Sequence, residues 1–114
     1  MAIPNEVRIQ AEEALSEFCT AHSSEPGADR LRYGYKFETS AAVLFAERPS
    51  FMNRDEWVPR PIARFRYSQA RNEWSLYWSD ENNKWQRVSG VKAANDIRVL
   101  LETVLKDPLG VFWS

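Results

Sequence analysis

Cys19 and His22 are the first residues of this sequence whose types could support catalysis. They are the one cysteine and the one histidine of the chain. Side chains three positions apart meet on a helix, and a thiol beside an imidazole is the pattern of a cysteine nucleophile with its base. A reactive thiol needs exposure and positive potential. These two residues instead lie at or beside an apolar stripe in a glutamate-rich segment, so we interpret them as structural.

The other reactive residue types lack the spacing that catalysis needs. One cysteine and one histidine do not make a zinc site, and the four glycines form no phosphate-binding loop. Adjacent carboxylates occur at Glu12-Glu13, Asp55-Glu56 and Asp80-Glu81. Neighbouring side chains point in different directions, so none of these pairs predicts an acid–base dyad. We expect no catalytic residues, no cofactor and no metal. The enzyme alternatives are a site assembled from distant residues, one that uses Cys19 with His22, and one that uses a carboxylate of segment 49–61.

The five tryptophans offer aromatic surface for stacking on bases or sugars, or for anchoring a protein partner. Three of them, Trp74, Trp78 and Trp85, fall on the predicted inner face of a sheet and are interpreted as a tryptophan-rich core. Trp57 lies in a long connection between strands. Two roles stay open for it: an exposed anchor for a partner, or cover for one end of the core.

The elements that position these residues begin and end with helices. Apolar residues recur at helical spacing from Asn5 to about His22, and Asn5 is a candidate N-cap. A second helix is predicted from about Asn95 to Lys106, with Asn95 or Asp96 as its cap. Its apolar residues at helical spacing are Ile97, Leu100, Leu101, Val104 and Leu105. Burial of these side chains predicts that the helix docks on a sheet.

Between the helices the apolar period changes to two, which is typical of strands. Five strands are predicted, at 31–37, 42–48, 62–68, 73–79 and 84–88. The connection at 49–61 contains three prolines and is long for a small domain. The register of strand 42–48 stays open, because a shift of one residue moves every side chain to the other face.

The hairpin around Gln69–Asn72 has the best-defined register. A four-residue loop and the alternation of apolar residues agree on the same pairing. The predicted inner pairs are Tyr67–Trp74, Phe65–Leu76 and Ala63–Trp78, and the outer pairs are Arg66–Ser75 and Arg64–Tyr77. A second four-residue turn, Asp80–Asn83, would place Trp85 beside Trp78 on the inner face, with Lys84 and Gln86 outside. The order of elements predicts an α+β fold: an N-terminal helix, an antiparallel sheet of about five strands, and a C-terminal helix on the same sheet face.

The outer face of that sheet is a candidate nucleic-acid surface. Arg64, Arg66 and Lys84 are predicted to surround Tyr77, and basic, aromatic sheet surfaces bind single strands in several folds. The alternative is an ordinary wet face, because a sheet covered on one side needs polar residues on the other.

Charge is unevenly distributed along the chain. The net charge is −1, yet segment 1–29 has one basic and six acidic residues, and segment 30–92 has twelve basic and seven acidic residues. This asymmetry predicts a basic sheet and an acidic first helix.

The 114 residues of the chain fit one domain, 1–114. The sequence has no secretory signal and no run long enough to span a bilayer, so we expect a cytoplasmic protein without a membrane partner.

Several strings of this sequence resemble a known family. They are Glu47-Arg48-Pro49, Trp57, Pro61–Tyr67, Glu73–Trp78, Lys84-Trp85 and Asp107–Trp113. Together they resemble domain of unknown function family 3024, an uncharacterised family of small bacterial proteins. The resemblance implies a bacterial source and a one-domain protein, and it transfers no activity and no site residues.

The leading expectation is a non-enzymatic protein-interaction module. The apolar tail, Leu109 to Trp113, is too apolar to be left in water and should pack against the domain or a partner. Trp57, Phe112 and Trp113 are therefore the candidate partner-binding residues, and self-association is a further option. The alternative is a nucleic-acid-binding module that uses Arg64, Arg66, Tyr77 and Lys84.

Overall fold

The computed structural model describes residues 3–22, 32–49, 52, 56–80 and 82–107. It contains two helices and five strands in the order α1 (Asn5–His22), β1 (Arg32–Phe37), β2 (Ala41–Pro49), β3 (Trp57–Ser68), β4 (Glu73–Ser79), β5 (Trp85–Arg87) and α2 (Ile97–Lys106). The strands form one antiparallel sheet in sequence order, β1-β2-β3-β4-β5. The predicted α+β fold is confirmed.

Both helices pack on one face of the sheet, which we call the inner face. Leu15 of α1 and Leu100 and Val104 of α2 are fully buried, and they share one apolar cluster with Leu44 and Phe65 of the strands. The carboxylate of Asp96 accepts a hydrogen bond from the Arg98 N–H and caps α2, as one of the two predicted alternatives. The opposite face, which we call the outer face, carries the alternate residues of each strand.

The β3–β4 hairpin has the predicted register at every pair. Phe65 lies opposite Leu76, and Tyr67 lies opposite Trp74. The loop needs Asn72 at a positive φ of 51°, a conformation that asparagine tolerates better than most residues. The Tyr67 hydroxyl donates a hydrogen bond to the Asn72 side chain, which ties the loop to the inner face.

The predicted position of Trp85 is wrong. Gln86, not Trp85, lies opposite Trp78, and Trp85 lies opposite Ser79 on the outer face. The β4–β5 register is shifted by one residue from the one that a four-residue turn would give. The reason is that Asn83 adopts a left-handed φ of 60° and the Asp80 N–H donates a hydrogen bond to the Lys84 carbonyl.

Asp80 holds this turn together. Its carboxylate accepts hydrogen bonds from the backbone N–H groups of Asn82 and Lys84 and from the Gln86 amide. The bond from the Lys84 N–H, followed by that from Gln86, lowers the pKa of Asp80 below its ordinary value. Asp80 is therefore a turn residue and stays ionised.

The predicted connection 49–61 is too long. β3 begins at Trp57 and includes Pro59 and Pro61, so the connection spans only 50–56. β4 pairs with β3 only from Ala63 onward. Among the described strands, the first part of β3 therefore has only β2 as a neighbour, and a proline without an N–H is tolerated on the side that no described strand pairs with. An irregularity beside Leu44 and Phe45 leaves Ile62 between the pairs and buried.

Candidate functional site

One row of side chains crosses the whole outer face. Its members are directly opposite each other on successive strands: Lys36, Val43, Arg64, Tyr77 and Arg87. Basic residues alternate along the row with an apolar and an aromatic residue. Arg66 lies on the same face, opposite Ser75.

The structure brings together three of the four residues predicted for the basic surface. Arg64, Arg66 and Tyr77 share the outer face, whereas Lys84 lies in the β4–β5 turn. Arg87 lies opposite Tyr77 instead. Arg87 was not predicted on this face, because a four-residue turn at Asp80–Asn83 shifts the register by one residue and reverses the face of every β5 residue.

The carboxylates of this face are already neutralised. Arg32 binds Glu47 at 2.7 Å, Arg64 binds Glu38 at 2.9 Å, and Arg71 lies 3.9 Å from Glu73. Such partly exposed pairs contribute little to stability, about 0–1 kcal/mol each. Within the described part of the chain, the other cations of the face, Lys36, Arg66 and Arg87, make no ion pair.

A shallow apolar groove lies beside the basic row. It has a volume of about 380 Å³ and is lined by Val43, Phe45, Pro59, Pro61 and Trp85, with Lys36, Glu38 and Glu47 at its rim. Val43 is 4% exposed although it points away from the helices, so neighbouring outer-face side chains cover it. Phe45 and Trp85 are half-buried, and both prolines are exposed.

Gly34 makes room for one wall of this groove. It lies opposite Phe45, and a Cβ atom built on Gly34 would lie 2.7 Å from the Phe45 ring. That separation is well inside van der Waals contact, so the ring can lie across β1 only because position 34 has no side chain.

Gly34→Ala is expected to destabilise the protein by about 1–3 kcal/mol, since the new methyl group must displace the Phe45 ring. Chemical denaturation of the wild type, both single variants and the Gly34→Ala/Phe45→Ala double variant measures this. Removing the ring should cancel most of the clash, which gives a coupling energy above about 0.5 kcal/mol. Additive single and double variants would show that the ring does not rest on Gly34.

Trp57 lies at the far end of the outer face. It is half-buried, lies opposite Pro49, and the Arg32 guanidinium is 3.8 Å from its ring centroid. The same guanidinium binds Glu47. A cation held over an aromatic face is favourable, so this contact holds the Trp57 ring beside Arg32 of β1. Two other predicted partner-binding residues, Phe112 and Trp113, lie outside the described residues, as does the side chain of His22.

A larger polar cleft, of about 700 Å³, lies on the helical side of the molecule. It is lined by Glu6, Val7, Gln10, Ala11, Asn72, Trp74, Asn95, Asp96, Ile97 and Arg98. Two of its charged groups are already engaged, since Asp96 caps α2 and Arg98 binds Glu17 at 3.2 Å. The outer face, with unpaired cations and apolar walls, is therefore the better candidate.

Cys19 lies on the buried side of α1, and burial raises the pKa of its thiol from 9.0 to about 11. The thiol is therefore protonated at neutral pH. A protonated, buried thiol is a poor nucleophile, in agreement with the structural interpretation of this residue. In the ranges that the structure describes, no group of three His, Cys, Asp or Glu side chains could hold a metal ion.

This raised pKa predicts how stability depends on pH. The folded state holds the thiol proton more tightly than the unfolded state, so the contribution is complete below about pH 9 and is lost as pH rises toward 11. Thermal unfolding across this range should show a steeper alkaline loss for wild type than for Cys19→Ala. Native protein should also resist iodoacetamide at pH 8 and react once denatured. Rapid native alkylation would contradict the burial.

The model of one family, described as a domain of unknown function (DUF3024), matches residues 3–114. The chain belongs to the DUF3024 family. The resemblance of its sequence to this family is thereby confirmed. No curated protein and no solved structure matches the chain. Membership of the DUF3024 family identifies no activity and no functional residues.

No helix among the described residues is long and apolar enough to cross a membrane.

Proposed function

We propose that this DUF3024 protein is a non-enzymatic protein-interaction module whose binding surface is the outer face of the sheet. The observation that carries the proposal is the apolar groove. A sheet face that helices leave uncovered is ordinarily polar. Here it presents Phe45, Pro59, Pro61 and Trp85 around a depression, and apolar patches of this kind on a surface mark interaction sites.

The groove is lined by residues of four strands and so crosses the sheet, which suits an extended polypeptide segment. Its walls come from β1, β2, β3 and β5, and side chains on hydrogen-bonded strands hold their positions better than side chains on loops. Trp85 and Phe45 offer half-buried aromatic surface, the residue type that most often dominates binding energy at interfaces. An aliphatic or aromatic side chain of the partner would fill the depression between them.

Nucleic acid is the second candidate. The observation in its favour is the cluster of Arg66, Arg87 and Tyr77, which line a cavity of about 260 Å³. Arg64 lies beside Tyr77 but binds Glu38. The groove beside this cluster is walled by Phe45, Pro59, Pro61 and Trp85, which offer a phosphate backbone no positive charge, and this disfavours the candidate. Three phosphate contacts predict a log–log salt slope of about −2 to −3 with a deoxythymidine 12-mer.

A random peptide library tests the proposed function directly. The full chain is immobilised, binding 12-residue peptides are enriched, and each is then tested on Trp85→Ala and on the matched control Val99→Ala. Val99 is 52% exposed on α2. The proposal expects peptides whose capture is lost with Trp85→Ala and retained with Val99→Ala. Enrichment of no peptide that depends on Trp85 would refute it.

A further inference from the structure

We infer that the segment recognised by the outer face is acidic as well as apolar, with carboxylates flanking the side chain that enters the groove. This inference rests on the proposed function and names the chemistry of its partner.

The unpaired cations lie along one side of the groove. Arg87 and Trp85 are two residues apart on β5 and on the same face, so their Cα atoms are about 6.6 Å apart. At the other end, Lys36 is itself part of the groove rim on β1. When a side chain of the partner lies between Phe45 and Trp85, the residues about two positions away on either side of it along the partner segment therefore lie near Lys36 and Arg87.

The length of the face fits a short segment. Lys36 and Arg87 are the ends of the row that crosses all five strands, a span of about 19 Å at about 4.8 Å per strand spacing. An extended chain covers that span with about six residues. One apolar residue near the centre and an acidic residue toward each end would meet the groove, Lys36 and Arg87 together.

The charge already on the face allows this partner. Glu38, Glu47 and Glu73 each have an arginine partner, so an incoming carboxylate need not displace an existing pair to reach Lys36 or Arg87. Both of these cations are exposed. A basic segment would gain no such contact and would be repelled by them.

The composition of the selected peptides is the first test. Peptides that depend on Trp85 should be enriched in Asp and Glu around an apolar residue. Their affinity, measured by fluorescence titration, should fall about tenfold on the Lys36→Gln/Arg87→Gln double variant and stay within about twofold on Lys106→Gln, a 74% exposed lysine of α2. Lys36→Arg/Arg87→Lys should keep most of the affinity, and replacing the acidic residues of the peptide by lysine should abolish it.

The outcomes separate this inference from the proposed function. Peptides that need Trp85 but carry no acidic residues, or whose affinity does not depend on Lys36 and Arg87, would overturn the inference and leave the proposed function standing. The absence of peptides that need Trp85 would overturn both. A deoxythymidine 12-mer that binds more tightly than the best peptide, through Arg66 and Arg87, would assign the face to nucleic acid and overturn the inference as well.

Discussion

Trp74→Ala is expected to lower the free energy of unfolding by about 3–5 kcal/mol, the largest stability effect of any prediction made for this chain. Trp74 is 1% exposed, and its ring centroid lies 5.0 Å from that of Tyr67. Its backbone also exchanges two hydrogen bonds with Ala94, at 2.6 and 2.9 Å, which join β4 to the segment before α2. Alanine would leave a cavity where the sheet meets the helices. Urea denaturation followed by circular dichroism measures the loss.

Trp74→Phe is the matched control, because it keeps an aromatic ring in the same place and should lose clearly less stability than Trp74→Ala. A loss below about 1 kcal/mol for Trp74→Ala would mean that the ring is not part of the core. The buried position assigned to β4 would then be wrong.

Trp85→Ala is expected to weaken peptide binding strongly and to change the free energy of unfolding only slightly. Affinity for the selected peptides should fall at least about thirtyfold, the effect of removing an aromatic hot spot worth about 2 kcal/mol. Stability should change by no more than about 1 kcal/mol, because the ring is half-buried on the outer face, opposite the face that carries the helices. Fluorescence titration and urea denaturation of the same preparation measure the two effects together.

Lys84→Ala is the control for Trp85→Ala. Lys84 is the neighbouring residue, exposed in the turn, and its loss should leave peptide affinity within about twofold of wild type. A Trp85→Ala variant that unfolds, or that binds peptides as wild type does, would remove the observation on which the proposed function rests.

The two tryptophans show where sequence reasoning succeeds and where it stops. Trp74 could be placed because the Gln69–Asn72 loop and the alternation of apolar residues fix the β3–β4 register independently. Trp85 could not, because its face depends on one backbone torsion at Asn83. A left-handed residue there changes the loop by one position, and every β5 side chain then faces the other way.

The start of β3 was missed for a different reason. Pro59 and Pro61 are local signals against a strand, and they are correct signals for a strand with neighbours on both sides. The pairing of Pro59 with Glu47 and of Pro61 with Phe45 is a long-range fact. It requires β3 to extend past the end of β4, which nothing in the local sequence specifies.

The candidate site also has a part that the sequence could predict and a part that it could not. Arg64, Arg66 and Tyr77 could be predicted to share a face, since all three belong to the hairpin of known register. The groove could not, because it needs the register of β2, the extension of β3 and the contact of Phe45 with Gly34. An isolated glycine in an alternating strand was the one local signal of a close approach.

Amide chemical-shift mapping of the full chain with a selected peptide tests the central claim most directly. If the outer face binds the partner, the largest shifts should fall on Val43, Phe45, Trp85 and Arg87, together with the Trp85 indole N–H. The amides of α1 and α2 should move little. Large shifts on the helices or around Asn95 and Asp96, with the outer-face amides unchanged, would contradict the claim that the sheet face is the binding surface.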